Sequence, residues 1–192
     1  MTRIIAGAAR GARLDVPGSG TRPTSDRVRE SLFGALESMD AIDGARVLDL
    51  YAGSGALGLE AWSRGAAAVD LVERARPAVQ IVERNAALVA KALGGAQPGR
   101  SPAKVHQSTV QAFLARAAGP YDLVFTDPPY DLTDAAMTAD LTALAPLLSP
   151  DAVVVVERAR RSTAPDLTAA GLELLREKVY GDTAVWWAEP AR

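Results

Sequence analysis

The chain has 192 residues, of which 48% are hydrophobic and 23% charged, with a formal net charge of −2, and these values are ordinary for one globular domain. The absence of cysteine excludes disulfides, thiolate metal sites and the covalent cysteine chemistry of pyrimidine C5 methylation, and the single histidine, His106, excludes a multi-histidine metal site. No apolar run approaches the roughly 20 residues that span a bilayer, and the N-terminus has no signal-peptide pattern, so we expect a cytoplasmic protein with no metal and no membrane partner.

The charge is distributed unevenly along the chain. Residues 1–30 contain six arginines against three acidic residues, a balance of +3, so the remainder carries −5. A basic segment on an acidic body is typical of a protein that binds a polyanion, although a solvated surface would explain the same arginines. The residues of this segment that we expect to contact the polyanion are Arg3, Arg10, Arg13, Arg22, Thr24, Arg27 and Arg29.

The N-terminal segment is predicted to form a small extension. Two alternating apolar stretches around residues 7–11 predict a β-hairpin, and we expect residues 1–22 to form an arm on a main domain spanning 23–192. A helix is predicted after Ser25, because apolar residues then recur at helical spacing. These residues are Val28, Leu32, Leu36 and Met39.

From residue 46 onward, predicted strands alternate with helices. Strands are predicted at 46–52, 68–73, 104–107, 121–127 and 152–157, and helices around 56–64, 76–92, 108–117 and 133–147. This alternation predicts an α/β, Rossmann-like fold with a mostly parallel sheet that is covered on both faces. Two further strand-like runs within 172–190 predict a C-terminal antiparallel hairpin and a seven-stranded sheet. Trp186 and Trp187 alternate along the last strand, so we expect one in the core and the other exposed or in contact with a partner.

A glycine-rich turn follows the first strand of this sheet. Its GxGxxG pattern, from Gly53 to Gly58, allows a ligand to approach the backbone, although a structural turn would also use these glycines. Asp49 can accept from the amino group of a methionine moiety, and Glu73, at the end of the second strand, can accept from both ribose hydroxyls of an adenosine. The residues that we expect to bind an adenosine-containing cofactor are Asp49, Tyr51, Ala52, Gly53, Ser54, Gly55, Glu73, Arg74, Ser108 and Thr109.

The fourth strand ends in Asp127-Pro128-Pro129-Tyr130, at the edge where open α/β sheets bind ligands. The two prolines form a rigid corner, from which the Asp127 carboxylate and the Pro128 carbonyl can accept from an exocyclic amino group. Two acceptors favour a tetrahedral nitrogen and stabilise its developing positive charge, and Tyr130 offers a face on which a base can stack. A turn with a capping aspartate is the structural alternative. We therefore expect catalysis by Asp127, Pro128, Pro129 and Tyr130, with S-adenosylmethionine (AdoMet) as the methyl donor.

These motifs resemble known methyltransferases over essentially the whole chain. The glycine turn, Glu73 and the proline corner resemble the amino-methyltransferase branch of class I methyltransferases, whose sheet usually ends in an antiparallel hairpin. The fuller set resembles the RsmD family of bacterial 16S rRNA guanine-N2 methyltransferases, and its N-terminal runs are the specific part. The resemblance implies methylation of one guanine N2 of 16S rRNA within an assembling small ribosomal subunit, and it implies that the polyanion contacted by the basic N-terminal residues is RNA. The matching runs are RIIAG (3–7), RG (10–11), RPTSDRVRESLF (22–33), LDLYAGSGALGLE (48–60) and SRGA (63–66).

Three alternatives remain open at this point. A DNA amino-methyltransferase can share the proline corner, but usually carries a target-recognition region that is larger than the arm of this chain. A protein glutamine N5-methyltransferase acts on a similar nitrogen, although Asp rather than Asn at position 127 and the basic arm are less typical of it. A non-catalytic RNA-binding module would not need Asp49, Glu73 and Asp127. The expected oligomeric state is a monomer.

Overall fold

A computed structural model describes residues 2–18, 26–95 and 99–192. The strands are β1 (Thr2–Arg3), β2 (Arg13–Leu14), β3 (Arg46–Leu50), β4 (Ala68–Glu73), β5 (Lys104–Gln107), β6 (Tyr121–Thr126), β7 (Leu148–Ala159), β8 (Leu172–Tyr180) and β9 (Thr183–Pro190). The helices are α1 (Asp26–Ser38), α2 (Ala56–Ser63), α3 (Arg76–Ala92), α4 (Val110–Leu114) and α5 (Asp134–Leu144), and a 3₁₀ turn (Ala145–Leu147) follows α5. The predicted order of elements is confirmed, with a shorter α4 and a longer β7 than the sequence indicated.

Seven strands form one sheet in the order β5-β4-β3-β6-β7-β9-β8. The five strands β5, β4, β3, β6 and β7 are parallel to one another, while β9 is antiparallel to both β7 and β8. The predicted Rossmann-like sheet with a C-terminal antiparallel hairpin is therefore confirmed. The chain proceeds from β3 to β4 and β5 on one side and then returns to β6 on the other side of β3. This reversal creates a switch point at the carboxyl ends of β3 and β6, where sheets of this kind bind ligands.

Hydrophobic side chains cover both faces of the sheet. Because successive side chains of a strand alternate, Val47 of β3 packs into one cluster with residues of α1, α2 and α3, whereas Leu48 and Leu50 pack into a second cluster with residues of α4 and α5. The helices on the two faces hold the strand ends in fixed positions, which a ligand site at the edge of the sheet requires.

The structure tests the expected burial of two residue sets. Trp186 and Trp187 are both buried, so neither is exposed, and the second alternative, a tryptophan with a partner, applies. The Arg176 guanidinium of β8 lies 5.5 Å from the centre of the Trp187 ring. Met39 is exposed rather than part of the apolar face of α1, because this helix ends at Ser38.

Helix α1 contacts the edge strand β8 through polar side chains. The Ser31 Oγ lies 2.9 Å from the Tyr180 hydroxyl, and the Lys178 ammonium donates to the same Oγ at 3.0 Å. The Lys178 ammonium also lies 4.8 Å from the centre of the Tyr180 ring, a cation–π distance. These contacts join the start of the described main domain to its last hairpin.

The N-terminal hairpin is joined to α2 by a buried carboxylate. Strands β1 and β2 pair antiparallel, as predicted. Between them, the backbone N–H groups of Ile5 and Ala6 donate to the two oxygens of Glu60 at 2.7 and 2.9 Å, and the Arg64 Nε donates to Glu60 at 2.8 Å. The Glu60 side chain is fully buried. The hairpin therefore contributes hydrogen-bond donors to the interior of the protein.

Close backbone packing holds the same hairpin against the end of α2. Gly7 has a φ of +80°, and a Cβ at this position would lie 2.0 Å from the Ser63 carbonyl oxygen, so glycine is required. The Ala9 N–H donates to the Ser63 Oγ at 2.9 Å, and Ile4 is completely buried in the cluster below α1 and α2. The expected boundary between residues 22 and 23 lies outside the described residues, but this packing favours a hairpin that is integral to the domain over a separable arm.

Arg29 does not occupy the position that was expected of an RNA contact. Its side chain is 1% exposed, and it donates to the Asp26 carboxylate at 2.8 Å and to the Arg3 carbonyl at 2.7 Å. One guanidinium nitrogen lies 3.7 Å from Glu60. The prediction was wrong because a count of arginines does not distinguish a solvated charge from a buried one, and Arg29 instead joins α1 to the hairpin.

We expect Glu60→Ala to destabilise the protein by about 3–5 kcal/mol, because it leaves buried N–H groups and a buried guanidinium without their acceptor. Urea unfolding measures the change. The matched control is Glu37→Ala, which removes the exposed partner of Arg64 and should cost at most about 1 kcal/mol. Equal losses in the two variants would contradict the role given to Glu60.

Candidate active site

A cavity of about 720 Å³ opens at the carboxyl ends of β3, β4 and β6. The glycine loop after β3, the end of β4, the starts of α3 and α4 and the proline corner after β6 all contribute to its walls. Apolar walls come from Val72, Pro77, Ile81 and Val110. A cavity of this volume with few convergent polar groups is typical of a small-molecule site.

The glycine loop adopts the tight turn that its sequence predicts. Gly53 and Gly55 have φ of 58° and 77°, a region that side chains with a Cβ disfavour. At Gly58, a Cβ would lie 2.6 Å from the Leu71 side chain, so the missing side chain allows α2 to pack closely on β4. The Gly53 N–H donates to the Glu73 carboxylate at 3.1 Å. The loop is therefore fixed at both its ends.

Glu73 ends β4 at the cavity wall, as predicted. Its two oxygens accept from the N–H groups of Gly53 and Ala75, at 3.1 and 2.7 Å. A carboxylate offers about four acceptor positions, so both oxygens keep capacity for a ligand. These two bonds hold the carboxylate in place before any ligand binds.

Asp49 lies behind the glycine loop and is not among the residues that line the cavity. Its buried carboxylate accepts from the Gly58 N–H at 2.8 Å. Burial raises the pKa of Asp49 to about 7, the Gly58 hydrogen bond opposes this shift, and the nearby Glu73 adds to it. The geometry favours a role in holding the start of α2 over the expected direct contact with a methionine amino group.

A polar network that the sequence did not reveal supports the part of the cavity wall that Tyr51 and Gln111 line. Tyr51, with a φ of 63°, donates its hydroxyl to the buried Asp140 carboxylate, and Gln111 Nε2 donates to the same carboxylate at 2.6 Å. Burial, followed by the hydrogen bond and the charge of Asp140, raises the pKa of Tyr51. Because Asp140 is 89 positions from Tyr51 in the chain, no local pattern could have indicated this network.

The proline corner places its side chains at the mouth of the cavity. Asp127, Pro128, Pro129 and Tyr130 all line it, and Tyr130 is 67% exposed. Burial raises the pKa of Asp127 well above its ordinary range, and the carboxylates of Glu157 and Asp49 raise it further. Asp127 is therefore a stronger proton acceptor than an aspartate in water.

The segment after this corner is held by Arg158 of β7. The guanidinium donates to Asp134 Oδ1 at 2.6 Å, to the Leu132 carbonyl at 3.1 Å and to the Thr163 carbonyl at 3.2 Å. The Asp134 pKa is lowered by its hydrogen bonds to Arg158 and Thr163. The Leu132 N–H donates back to the Pro129 carbonyl at 3.0 Å, which closes the turn. The loop that carries Tyr130 is thus fixed from both sides.

The expected site residues divide into three groups. The catalytic four line the cavity, and so do six of the expected cofactor residues, which are Tyr51, Gly53, Glu73, Arg74, Ser108 and Thr109. Thr109 also caps α4, accepting from the Ala112 N–H. The remaining expected cofactor residues shape the turn behind the cavity, and they are Asp49, Ala52, Ser54 and Gly55.

Of the expected RNA contacts, those among the described residues do not line the cavity. Arg3, Arg10, Arg13 and Arg27 are exposed on the hairpin and α1, whereas Arg22 and Thr24 lie outside the described residues. Sequence reasoning missed Pro17 and Gly18, which line the cavity directly after the hairpin. The sequence directly after the hairpin has no periodicity that indicates which part of the fold it contacts.

Two features are absent from the described residues. No helix among them is both long and apolar enough to cross a membrane. They also hold no group of three or more side chains that could bind a metal ion.

The chain is similar to known methyltransferases along nearly its full length. Residues 2–189 match the family described as Conserved hypothetical protein 95. The Ribosomal RNA small subunit methyltransferase D of Escherichia coli is 40% identical over 183 residues, covering 95% of this chain and 86% of that protein, and a Putative rRNA methyltransferase of Bacillus subtilis is 35% identical, covering 95% and 96%. The solved structure of a putative methyltransferase from Escherichia coli superposes with a TM-score of 0.80 at 37% identity, covering 98% and 97%.

We expect Asp49→Asn to change how stability depends on pH. The Asp49 pKa is about 7 when folded against an ordinary 3.8, so the folded state binds more protons between these values and the wild-type free energy of unfolding falls as pH rises from about 4 to about 7. The variant keeps an acceptor for Gly58 but loses this titration. The free energy of unfolding of the variant, relative to that of wild type, should therefore rise by on the order of 2–3 kcal/mol as the pH increases from about 5 to about 8.

Urea unfolding at the two pH values measures this gain. The control is Asp43→Asn at an exposed position, which should show no such trend. A constant difference between Asp49→Asn and wild type at both pH values would contradict the raised pKa.

Proposed function

We propose that this chain, which belongs to the family described as Conserved hypothetical protein 95, transfers a methyl group from AdoMet to the exocyclic N2 of one guanine in 16S rRNA of the small ribosomal subunit. The resemblance to the RsmD family that the sequence indicated is confirmed by this membership and by the relatives' names. The observation that carries the proposal is one cavity lined both by Glu73 with the glycine loop and by the Asp127–Tyr130 corner. An adenosine site and an amino-group site thus share one space.

The residues of the cavity fit AdoMet. Glu73 offers fixed carboxylate oxygens for two ribose hydroxyls, and the apolar side chains of Ile81 and Val110 provide surfaces for adenine. Ser108 and Thr109 lie on the same wall. When bound, AdoMet supplies an electrophilic methyl group on a sulfonium centre. Nothing in the glycine loop is dedicated to a pyrophosphate, which favours AdoMet over NAD.

The proline corner supports the chemistry on the acceptor. The Asp127 carboxylate and the Pro128 carbonyl accept from the two hydrogens of the amino group, so that its lone pair points away from both acceptors. As the N–C bond forms and the C–S bond breaks, the nitrogen becomes positively charged, and the carboxylate stabilises this charge. Water or the Asp127 carboxylate then takes the proton that the methylated nitrogen releases. Tyr130 stacks on the base.

The exposed arginines of the hairpin and α1 support an RNA substrate. Arg3, Arg10, Arg13 and Arg27 can contact phosphates, whose neutralisation releases counterions and makes binding weaken steeply with salt. Because the hairpin is packed into the domain, these charges keep a fixed position relative to the cavity. We assign to them the positioning of the rRNA and to the cavity the recognition of the base.

The direct test is methyl transfer from labelled AdoMet onto small ribosomal subunits that lack the modification, followed by nucleoside analysis. We expect N2-methylguanosine as the labelled nucleoside. Labelled N6-methyladenosine would overturn the guanine assignment, and a label found in ribosomal protein, or no label at all, would overturn the rRNA methyltransferase assignment.

Glu73→Ala should weaken binding of AdoMet and of its demethylated product, S-adenosylhomocysteine, by about 1.5–3 kcal/mol, the range for hydrogen bonds to a charged group. Calorimetric titration measures the change. Glu83→Ala, at an exposed position of α3, is the control and should bind normally. An unchanged affinity in Glu73→Ala would mean that the adenosine pocket lies elsewhere.

Asp127→Ala should lower the single-turnover rate by about 10²–10³-fold at saturating AdoMet, as expected when one preorganised group is removed from the transition state. The affinity for AdoMet should change little, because Asp127 faces the base. Asp131→Ala removes a carboxylate from the same cavity wall and serves as the control. A near-normal rate in Asp127→Ala would refute the mechanism.

Tyr130→Ala should weaken binding of the small subunit as well as lower the rate, because stacking contributes about 1–3 kcal/mol per base. Tyr130→Phe keeps the ring and should remain close to wild type in both measurements. If the two substitutions had equal effects, the hydroxyl rather than the ring face would be the functional group.

A further inference from the structure

Asn85 makes a buried polar connection that the methyl-transfer mechanism does not use. Its side chain on α3 is 1% exposed. The Oδ1 accepts from the Asp15 N–H at 2.9 Å, and the Nδ2 donates to the Asp15 carbonyl at 2.9 Å and to the Ser54 carbonyl at 2.8 Å. Both donors and the acceptor of the amide are therefore occupied.

The two backbone segments that Asn85 joins belong to different parts of the site. Asp15 directly follows β2 of the hairpin, and the chain then reaches the cavity wall at Pro17 and Gly18. Ser54 lies in the glycine loop, next to Gly53 of the same wall. A ligand that contacts both walls therefore contacts two segments that one side chain holds together.

An asparagine is specifically suited to this position. Asp15 presents a donor and an acceptor from one residue, which a single primary amide can satisfy together, while the second amide hydrogen reaches Ser54. A carboxylate at position 85 would face two carbonyl oxygens, and an apolar side chain would leave buried backbone groups unpaired. The neighbouring ion pair between Arg84 and Asp15, at 3.3 Å, lies at the surface with side chains 59% and 65% exposed.

We propose that Asn85 is a positioning residue that couples the two substrates, so that AdoMet in the cavity and RNA on the hairpin each strengthen the binding of the other. The inference rests on the proposed function, since it takes the exposed arginines of the hairpin as RNA contacts. A cofactor fixes the glycine loop, and the amide transmits this to Asp15 and so to Arg13 at the end of β2, whereas the turn of the hairpin is already held by Glu60 and Ser63. By linkage, RNA bound to the hairpin favours the cofactor by the same factor.

The test is a binding cycle with small subunits that lack the methyl group and with S-adenosylhomocysteine as the cofactor probe. In the wild type, saturating S-adenosylhomocysteine should lower the dissociation constant of the subunits about 5–20-fold, within the usual range of coupling between sites. In Asn85→Ala this ratio should fall to about one. Arg84→Ala is the matched control, because it removes a surface contact to the same Asp15, and its ratio should stay at the wild-type value.

The ratio distinguishes coupling from a general loss of stability. A purely structural role of Asn85 would weaken each ligand alone and leave the ratio unchanged, which would overturn the inference. Asn85→Ser introduces no charge and keeps a small polar group, so it provides a second variant if the alanine variant does not fold, and it should also lose the coupling. A wild-type ratio of one together with normal guanine methylation would overturn this inference alone. A wild type that neither binds nor methylates subunits would overturn the proposed function.

Discussion

The carboxyl ends of β3, β4 and β6 lie next to one another because these strands are parallel neighbours in the sheet. Neighbouring strands are about 4.8 Å apart, so the turns that leave them must share one small space. The glycine loop, Glu73 and Asp127 reach the same cavity for this reason. The helices on both faces only preserve a spacing that the strand order has already set.

The N-terminal hairpin extends this rigid frame to the surface. Its backbone donates to the buried Glu60, and Gly7 approaches α2 more closely than any other residue type would allow. Charges on such a fixed element lose little conformational freedom on binding, which reduces the entropic cost of forming a complex. The hairpin differs in this respect from a flexible basic tail, which must be ordered each time it binds.

The pattern of the sequence was sufficient for the elements of the sheet and for the residues at strand ends. Glu73 and Asp127 were found because a carboxylate that follows a buried apolar run has few structural explanations. Arg29 was misassigned and Asp140 was missed because each depends on a partner remote in the chain, such as the 89 positions between Tyr51 and Asp140. Hydrophobic periodicity reports which face of an element is buried, but it does not report what a polar side chain meets there.

Ser31 and Tyr180 lie 149 positions apart in the chain, so their contact cannot form during most of the time that the protein is being synthesised. Helix α1 emerges early and its face toward β8 stays uncovered until the last hairpin follows. Contacts between such distant positions also form slowly, because a long loop must close first. During synthesis, this side of the nascent chain therefore stays accessible to chaperones until β8 and β9 pair with the sheet.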